Sequence, residues 1–335
     1  MIQLESRQLF MYNDSVLILI FQRTHMPLYT IGVDVGGTNI KLGLVAPSGK
    51  IIAKTNLITK SYVRHPRQLI NALVAAVRSL VRENGKTMKD IAGIGIGLPG
   101  QINGPQGIVI FLPNVPGWRN VPLRKIIQKQ LKVPVFMDND VNLIALGEWK
   151  LGAGKGYKNL VCITLGTGVG GGLIFDGGLY RGEGFVAGEI GHMPLNEHGP
   201  ACNCGGMGCF ERYVGNRTLM AKAAKVFGKK NIRLEETFAL ASSGNVRAVR
   251  FWRETATHIG NALVGVINLL NPRLVIVGGG VAGNYKFMEK TIQKVVRDRA
   301  MTVQSAMVRI VRARLGDEAG ILGAHILVKE SIFGR

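Results

Sequence analysis

Leu28 to Ala46 reads LYTIGVDVGGTNIKLGLVA, and Asn159 to Phe175 reads NLVCITLGTGVGGGLIF. Each is a run of β-branched and aliphatic residues, a glycine turn and a second such run, which is a hairpin signal. Set 130 residues apart, the two stretches match without a gap. Ile31 falls on Val161, Asp34 on Thr164, Gly36 on Gly166 and Leu44 on Ile174. Two such hairpins, each opening an α/β segment and each carrying polar residues at its turn, predict a duplicated architecture with a cleft between two lobes.

The chain between and beyond the hairpins supports this plan. Lys50 to Ile58 continues as a third strand. After Pro66, residues Leu69, Ile70, Leu73, Val74, Val77, Leu80 and Val81 recur at helical spacing on one face, and Gly85 ends the helix. IAGIGIGLPG (91–100) reads as a buried strand running into a loop, and VPVFMDND (133–140) as a strand with a polar end. Later come a helix from Phe251 to Leu270 stopped by Asn271-Pro272, the strand RLVIVGGGVAG, the basic strand VRIVRARLG and a last helix, DEAGILGAHILVKE.

At 335 residues and 47% hydrophobic, the chain can bury one large core or two domain-sized ones. Four cysteines make no disulfide framework, and a reducing, cytoplasmic setting is expected. The net charge of +21 favours anionic ligands. The basic residues are scattered rather than blocked, so a solvated surface is the reading and no nucleic-acid partner is expected. Residues 1–26 stand apart as an N-terminal extension. Their apolar run Val16–Phe21 is too short to span a bilayer, and no membrane partner is expected. Met26, just ahead of the first strand, is the expected natural start. The alternative is an extra strand or helix packed on the body.

Three glycine turns can carry chemistry. DVGGTN (34–39) offers a carboxylate, Asp34, then Gly36, Gly37 and the Thr38 hydroxyl. Glycine lets backbone N–H groups approach phosphate oxygens, and Asp34 can hold a phosphate-bound Mg²⁺ through water. GTGVGGG (166–172) repeats the pattern without the carboxylate, and VGGG (277–280) adds a third turn. Each alone reads as an ordinary turn; together they make a phosphate-and-nucleoside cradle. In MDNDVN (137–142), Asp140 can accept a proton from an attacking hydroxyl while Asn139 holds a sugar ring. One of these polar residues also caps the helix that follows. In GEIGH (188–192), Glu189 and His192 can face one site or form a surface ion pair.

Three of the four cysteines crowd into HMPLNEHGPACNCGGMGC (192–209). His192, Cys202, Cys204 and Cys209 form a closed four-ligand set for a structural Zn²⁺, with no position left for water. Gly205, Gly206 and Gly208 let the loop wrap the ion. Disulfide pairing is the competing reading, although Cys202 and Cys204 are too close to pair easily, and His198 is a competing ligand.

DVGGTN, GIGLPG, PNVPGW, DNDVN, TLGTGVGGG, GEIGHMPL, CNCGGMGC-FE and LGDEAG, in this order, resemble the ROK family of sugar kinases and repressors. The resemblance implies an α/β, actin-like (hexokinase/ribonuclease H-like) two-lobed ATPase fold with a duplicated βββαβα core. The lobes would be 27–140, with helix 318–330 packed on it, and 141–317, carrying the zinc loop 192–209. It implies transfer of the ATP γ-phosphoryl to a hexose hydroxyl with Mg²⁺, Asp140 being the catalytic base. The implied sugar shell is Asn114, Asn139, Asp140, Glu189, His192 and Glu211, with the Gly100 backbone against the sugar. Phosphates would lie near Asp34, Gly36, Gly37, Thr38 and Asn39 and near Gly166, Thr167, Gly168 and Gly170. The nucleoside would lie near Gly278, Gly279 and Gly280. His192 would bind zinc with one ring nitrogen and face a sugar hydroxyl with the other. Glucose is the first acceptor implied; N-acetylmannosamine, N-acetylglucosamine and fructose are the others, and a homodimer is expected. The different-class alternative is a sugar-sensing transcriptional regulator. Asp138 departs from the Glu that many members carry before Asn-Asp, and little effect is expected of it.

Overall fold

The computed structural model describes residues 28–59, 65–112 and 117–334. The extension 1–26 and Asn114 lie outside them. Strands β1 (Tyr29–Val35), β2 (Asn39–Val45), β3 (Ile51–Ile58), β4 (Ile91–Leu98) and β8 (Val135–Asn139) form one sheet in the order β3-β2-β1-β4-β8. Between β4 and β8, a small antiparallel sheet is built from β5 (Gln101–Asn103), β6 (Ile108–Phe111) and β7 (Arg119–Val121). The second large sheet has the order β11-β10-β9-β12-β13. Its strands are β9 (Leu160–Leu165), β10 (Val169–Phe175), β11 (Gly178–Tyr180), β12 (Leu274–Gly278) and β13 (Arg309–Arg312). Both sheets are an antiparallel meander of three strands followed by two parallel strands. The duplication read from the two hairpins is thus a repeat of topology.

The match is not perfect in pairing. At the 130-residue offset β2 and β10 share both bounds and β1 and β9 share their last residue, yet Ile31 pairs with Leu44 whereas Val161 pairs with Leu173 rather than Ile174. The second hairpin is closed one residue tighter, with Gly166 N–H donating to Gly168 O at 2.9 Å. In the first, Gly36 N–H donates to Asn39 O at 2.9 Å. A gapless sequence match cannot distinguish these closures.

Ten helices are described: α1 (Pro66–Glu83), α2 (Leu123–Leu131), α3 (Asp140–Leu151), α4 (Glu211–Val214), α5 (Asn216–Phe227), α6 (Leu234–Ser242), α7 (Val246–Leu270), α8 (Tyr285–Arg299), α9 (Thr302–Met307) and α10 (Ala319–Phe333). In α1 the seven residues at helical spacing are the seven buried ones. Each such aliphatic side chain contributes roughly 1.5–3 kcal/mol on burial. Helix α7 starts five residues before the predicted Phe251, because Asn245 accepts from Ala248 N–H at 3.1 Å and caps it there.

Helices α3 and α10 form the layer between the sheets. Both are apolar on nearly all sides because both are covered on nearly all sides. Their backbones touch: a Cβ on Gly323 would overlap Leu143 O, and one on Gly147 would come 2.6 Å from Ala319 O. The alternating glycines of β4 have the same cause, since a Cβ on Gly95 would overlap Ala324 O. The C-terminal helix therefore lies on the N-terminal sheet, and the chain crosses between lobes twice, at Asn139-Asp140 and just before Ala319.

His325 of α10 is 1% exposed and shares a 2.7 Å hydrogen bond with Thr30 of β1. Burial pushes its imidazole down to about 4 from the ordinary 6.5, with the Lys329 charge adding to the shift. The folded state therefore keeps His325 neutral while the unfolded chain takes up a proton. This contribution to stability is complete above pH ~6.5 and is lost as pH falls toward 4. At pH 4.5 the loss reaches roughly 2.5 kcal/mol. Chemical denaturation of His325→Gln and wild type at pH 7 and pH 4.5 should show the variant losing less stability on acidification by about that amount. Equal losses would show that His325 titrates normally.

Candidate active site

Strand β8 delivers the polar residues to the inter-lobe crossing. Asn139 is the helix cap: its Oδ1 accepts from Val141 N–H at 2.9 Å and Asn142 N–H at 3.2 Å. Its Nδ2 donates to Gly100 O at 3.2 Å, and Gly100 holds a φ of 97°, a left-handed conformation suited to glycine. Capping and site-building thus coexist in one side chain.

Asp140 follows at the first helical position. Burial, with the Asp34 charge adding to it, pushes its carboxyl up to about 7. The N–H groups of Val141 and of Asp140 itself oppose the shift, and Glu189 adds to it. Asp34 of β1, Asp140 of the crossing and Glu189 of the second lobe therefore converge electrostatically. Asp34 is itself held above the ordinary carboxylate range by burial, with Lys41 pulling it down and Asp317 pushing it up. Lys41 and Asp317 pair at 2.9 Å. The turn behind Asp34 is anchored by Thr59, whose hydroxyl donates to Gly36 O at 2.8 Å, while Gly37, Thr38 and Asn39 stay exposed.

The second and third glycine turns meet. Gly278 pairs with Thr164, and Gly279, at φ 85°, packs directly on the Leu165 backbone. The second turn is also held by the segment after the cysteines. Val169 N–H donates to Glu211 Oε2 at 2.9 Å, and Asn216 N–H to Gly166 O at 2.8 Å. Glu211 is thereby tied to the second turn and lies close enough to Glu189 to raise its carboxyl.

Glu189 opens a short 3-10 turn, Ile190–His192. Neighbouring protein raises its carboxyl above the usual range, His192 pulls it down and Glu211 raises it again. Glu189 still reaches solvent, so this shift is partly screened. His192, Cys202, Cys204 and Cys209 offer ligand atoms all within 4.8 Å of one another. His192 Nδ1 lies 3.6 Å from Cys202 Sγ, and Cys204 Sγ lies 3.6 Å from Cys209 Sγ. A tetrahedral zinc site with sulfur ligands has edges of about 3.7 Å. No disulfide joins the cysteines. Without a cation the thiols cannot all ionise. The Gly206 N–H and neighbouring thiols bring Cys204 down to about 7, whereas burial pushes Cys209 up to about 12. The donor set fits Zn²⁺ in number, type and spacing, and His198 is outside it.

A family model described as ROK matches residues 30–331. The chain belongs to the ROK family. Among ROK relatives, a glucokinase of Streptomyces coelicolor is 34% identical over 318 residues, covering 90% of this chain and 98% of that protein. A xylose repressor of Caldicellulosiruptor bescii is 31% identical, covering 89% of this chain and 77% of that protein. The crystal structure of a ROK family glucokinase from Streptomyces griseus in complex with glucose and AMPPNP superposes with a TM-score of 0.79. It is 32% identical, covering 90% of this chain and 99% of that one. These likenesses bear out the actin-like ATPase fold expected of a ROK chain. Lys41, Asp317 and Arg181 escaped the sequence reading. Asp317 lay inside the quoted LGDEAG, but Arg181 carried no local signal.

Proposed function

We propose that this ROK protein is an ATP- and Mg²⁺-dependent hexose kinase that phosphorylates the 6-hydroxyl of glucose. The observation that carries the reading is Asp140: a carboxyl at the inter-lobe crossing, raised to about 7, facing Asp34 and Glu189. A base tuned near the working pH takes up a proton from a hydroxyl as that oxygen attacks phosphorus. Asn139, Glu189, His192 and Glu211, with the Gly100 backbone, are the groups read as holding the sugar, and Asn114, outside the described residues, is assigned to the same shell by the family resemblance. The turns at 36–39, 166–170 and 278–280 hold the nucleotide, and Asp34 carries Mg²⁺, which neutralises phosphate charge when bound. His192, Cys202, Cys204 and Cys209 would hold Zn²⁺, and ligation through one ring nitrogen would fix the His192 imidazole with its other nitrogen toward the sugar. The protein is read as cytoplasmic; among the described residues no helix is long and apolar enough to cross a membrane. It is read as a homodimer, for which the exposed Leu269, Met301 and Val303 at the α7–α9 end offer an apolar surface.

An ADP-release assay with ATP and Mg²⁺ across glucose, mannose, fructose, N-acetylglucosamine and N-acetylmannosamine tests the reading. Glucose is expected to turn over fastest. Preference for another of these sugars would keep the chemistry and change the acceptor. Sugar binding without turnover on any of them would favour a sugar-sensing regulator.

A further inference from the structure

We propose that Asp138 and Arg181 are a positioning pair that sets the sugar-holding turn of one lobe against the catalytic strand of the other. The inference rests on the sugar-kinase reading. Asp138 lies on β8, two residues before Asp140, and its side chain is 5% exposed. Its Oδ1 accepts from Asn139 N–H at 2.8 Å and from Asn142 Nδ2 at 2.9 Å. Its Oδ2 accepts from Arg181 Nε and from Arg181 NH2, both at 2.7 Å. Both carboxylate oxygens are engaged within the protein, so Asp138 is placed to orient its neighbours and not to touch substrate.

Arg181 follows directly on β11, the edge strand of the other sheet. Its carbonyl accepts from Ala187 N–H at 2.9 Å, which closes residues 181–187 into a loop. The loop exits at Gly188, whose φ of 93° lets its backbone lie directly on Gly171, and leads straight into Glu189. One end of the segment carrying Glu189 and His192 is thus tied by Arg181 to the strand that carries Asn139 and leads into Asp140. The pair borders a cavity of about 310 Å³ whose other walls include Phe136, Phe185 and Leu327. In a site of this kind a displacement of about 1 Å can cost on the order of 10²-fold in rate.

The test is a double-mutant cycle with Asp138→Asn, Arg181→Gln and their combination, plus Asp138→Glu and Arg181→Lys. Thermal midpoint, kcat and the KM values for glucose and ATP are measured for each. Each neutralising single change is expected to lower kcat/KM for glucose at least about tenfold while KM for ATP moves less than about twofold. The double variant should be no worse than the poorer single, because the two groups act as one. Asp138→Glu, which keeps the charge, should recover part of the loss. Wild-type kinetics in the singles, multiplying effects in the double, or lowered midpoints with unchanged kinetics would each overturn the proposal. Where Asp138→Asn folds poorly, Arg181→Lys carries the comparison, since it keeps the charge but not the two-pronged donor. A wild type that turns over no sugar would defeat the kinase reading instead. The pair would then be judged by calorimetric glucose affinity, unchanged affinity in both singles rejecting it.

Discussion

Asp140→Asn should lower kcat for glucose phosphorylation by about 10²–10⁴-fold while glucose still binds. Asparagine keeps the size of the side chain and an oxygen to accept from Val141 N–H, which Asp140 Oδ1 does at 3.0 Å. It cannot take a proton. The pH profile sharpens the test. Burial and the Asp34 charge place the Asp140 carboxyl at about 7, and only its ionised form is a base. One unit below that value, about a tenth of the molecules are competent, so wild-type kcat/KM should rise with pH and level off above roughly 8. The residual rate of the variant should lack that limb. Turnover near the wild-type level, with glucose affinity by calorimetry unchanged, would remove Asp140 from the role of base.

Cys204→Ser should release the metal and weaken glucose binding by about tenfold or more, the range typical of groups that orient a ligating residue. Cys204 is exposed, so the change opens no cavity and isolates the lost ligand. His192 Nδ1 faces the sulfur cluster, 3.6 Å from Cys202 Sγ, and the proposal gives the other ring nitrogen to the sugar. Elemental analysis should find one zinc per wild-type chain and much less in the variant. Thiol titration of the native wild type should find Cys202, Cys204 and Cys209 protected until a chelator is added. A wild type prepared without metal that keeps full glucose affinity would separate the cluster from the sugar site.

Local patterns carried much of this protein. Period-two runs around glycine turns marked β1–β2 and β9–β10, because a strand half in contact with a core must alternate or be apolar throughout. The seven buried positions of α1 were legible because that helix has one wet face. The cysteine cluster was legible because ligand type and short loop spacing are themselves the chemistry. Helix α10 was found from its apolar run, but its place between the sheets, and the reason for Gly95, Gly147 and Gly323, came only with the backbones that touch them. That Asn139 rather than Asp138 caps α3 depended on side-chain direction, which spacing leaves open. The tie from Glu211 to Val169 and the bridge from Asp138 to Arg181 span 42 and 43 residues. Such pairs leave no periodic trace, since only the folding of distant segments onto one another, within the second half for Glu211 and between the two sheets for Asp138, brings them within hydrogen-bond distance. Sequence alone determined the strands, the amphipathic helix and the grouping of His192 with three cysteines, each specified by neighbours along the chain. Tertiary structure decided which of the acidic groups share one electrostatic site, because that depends on distances between strands that the chain order does not contain.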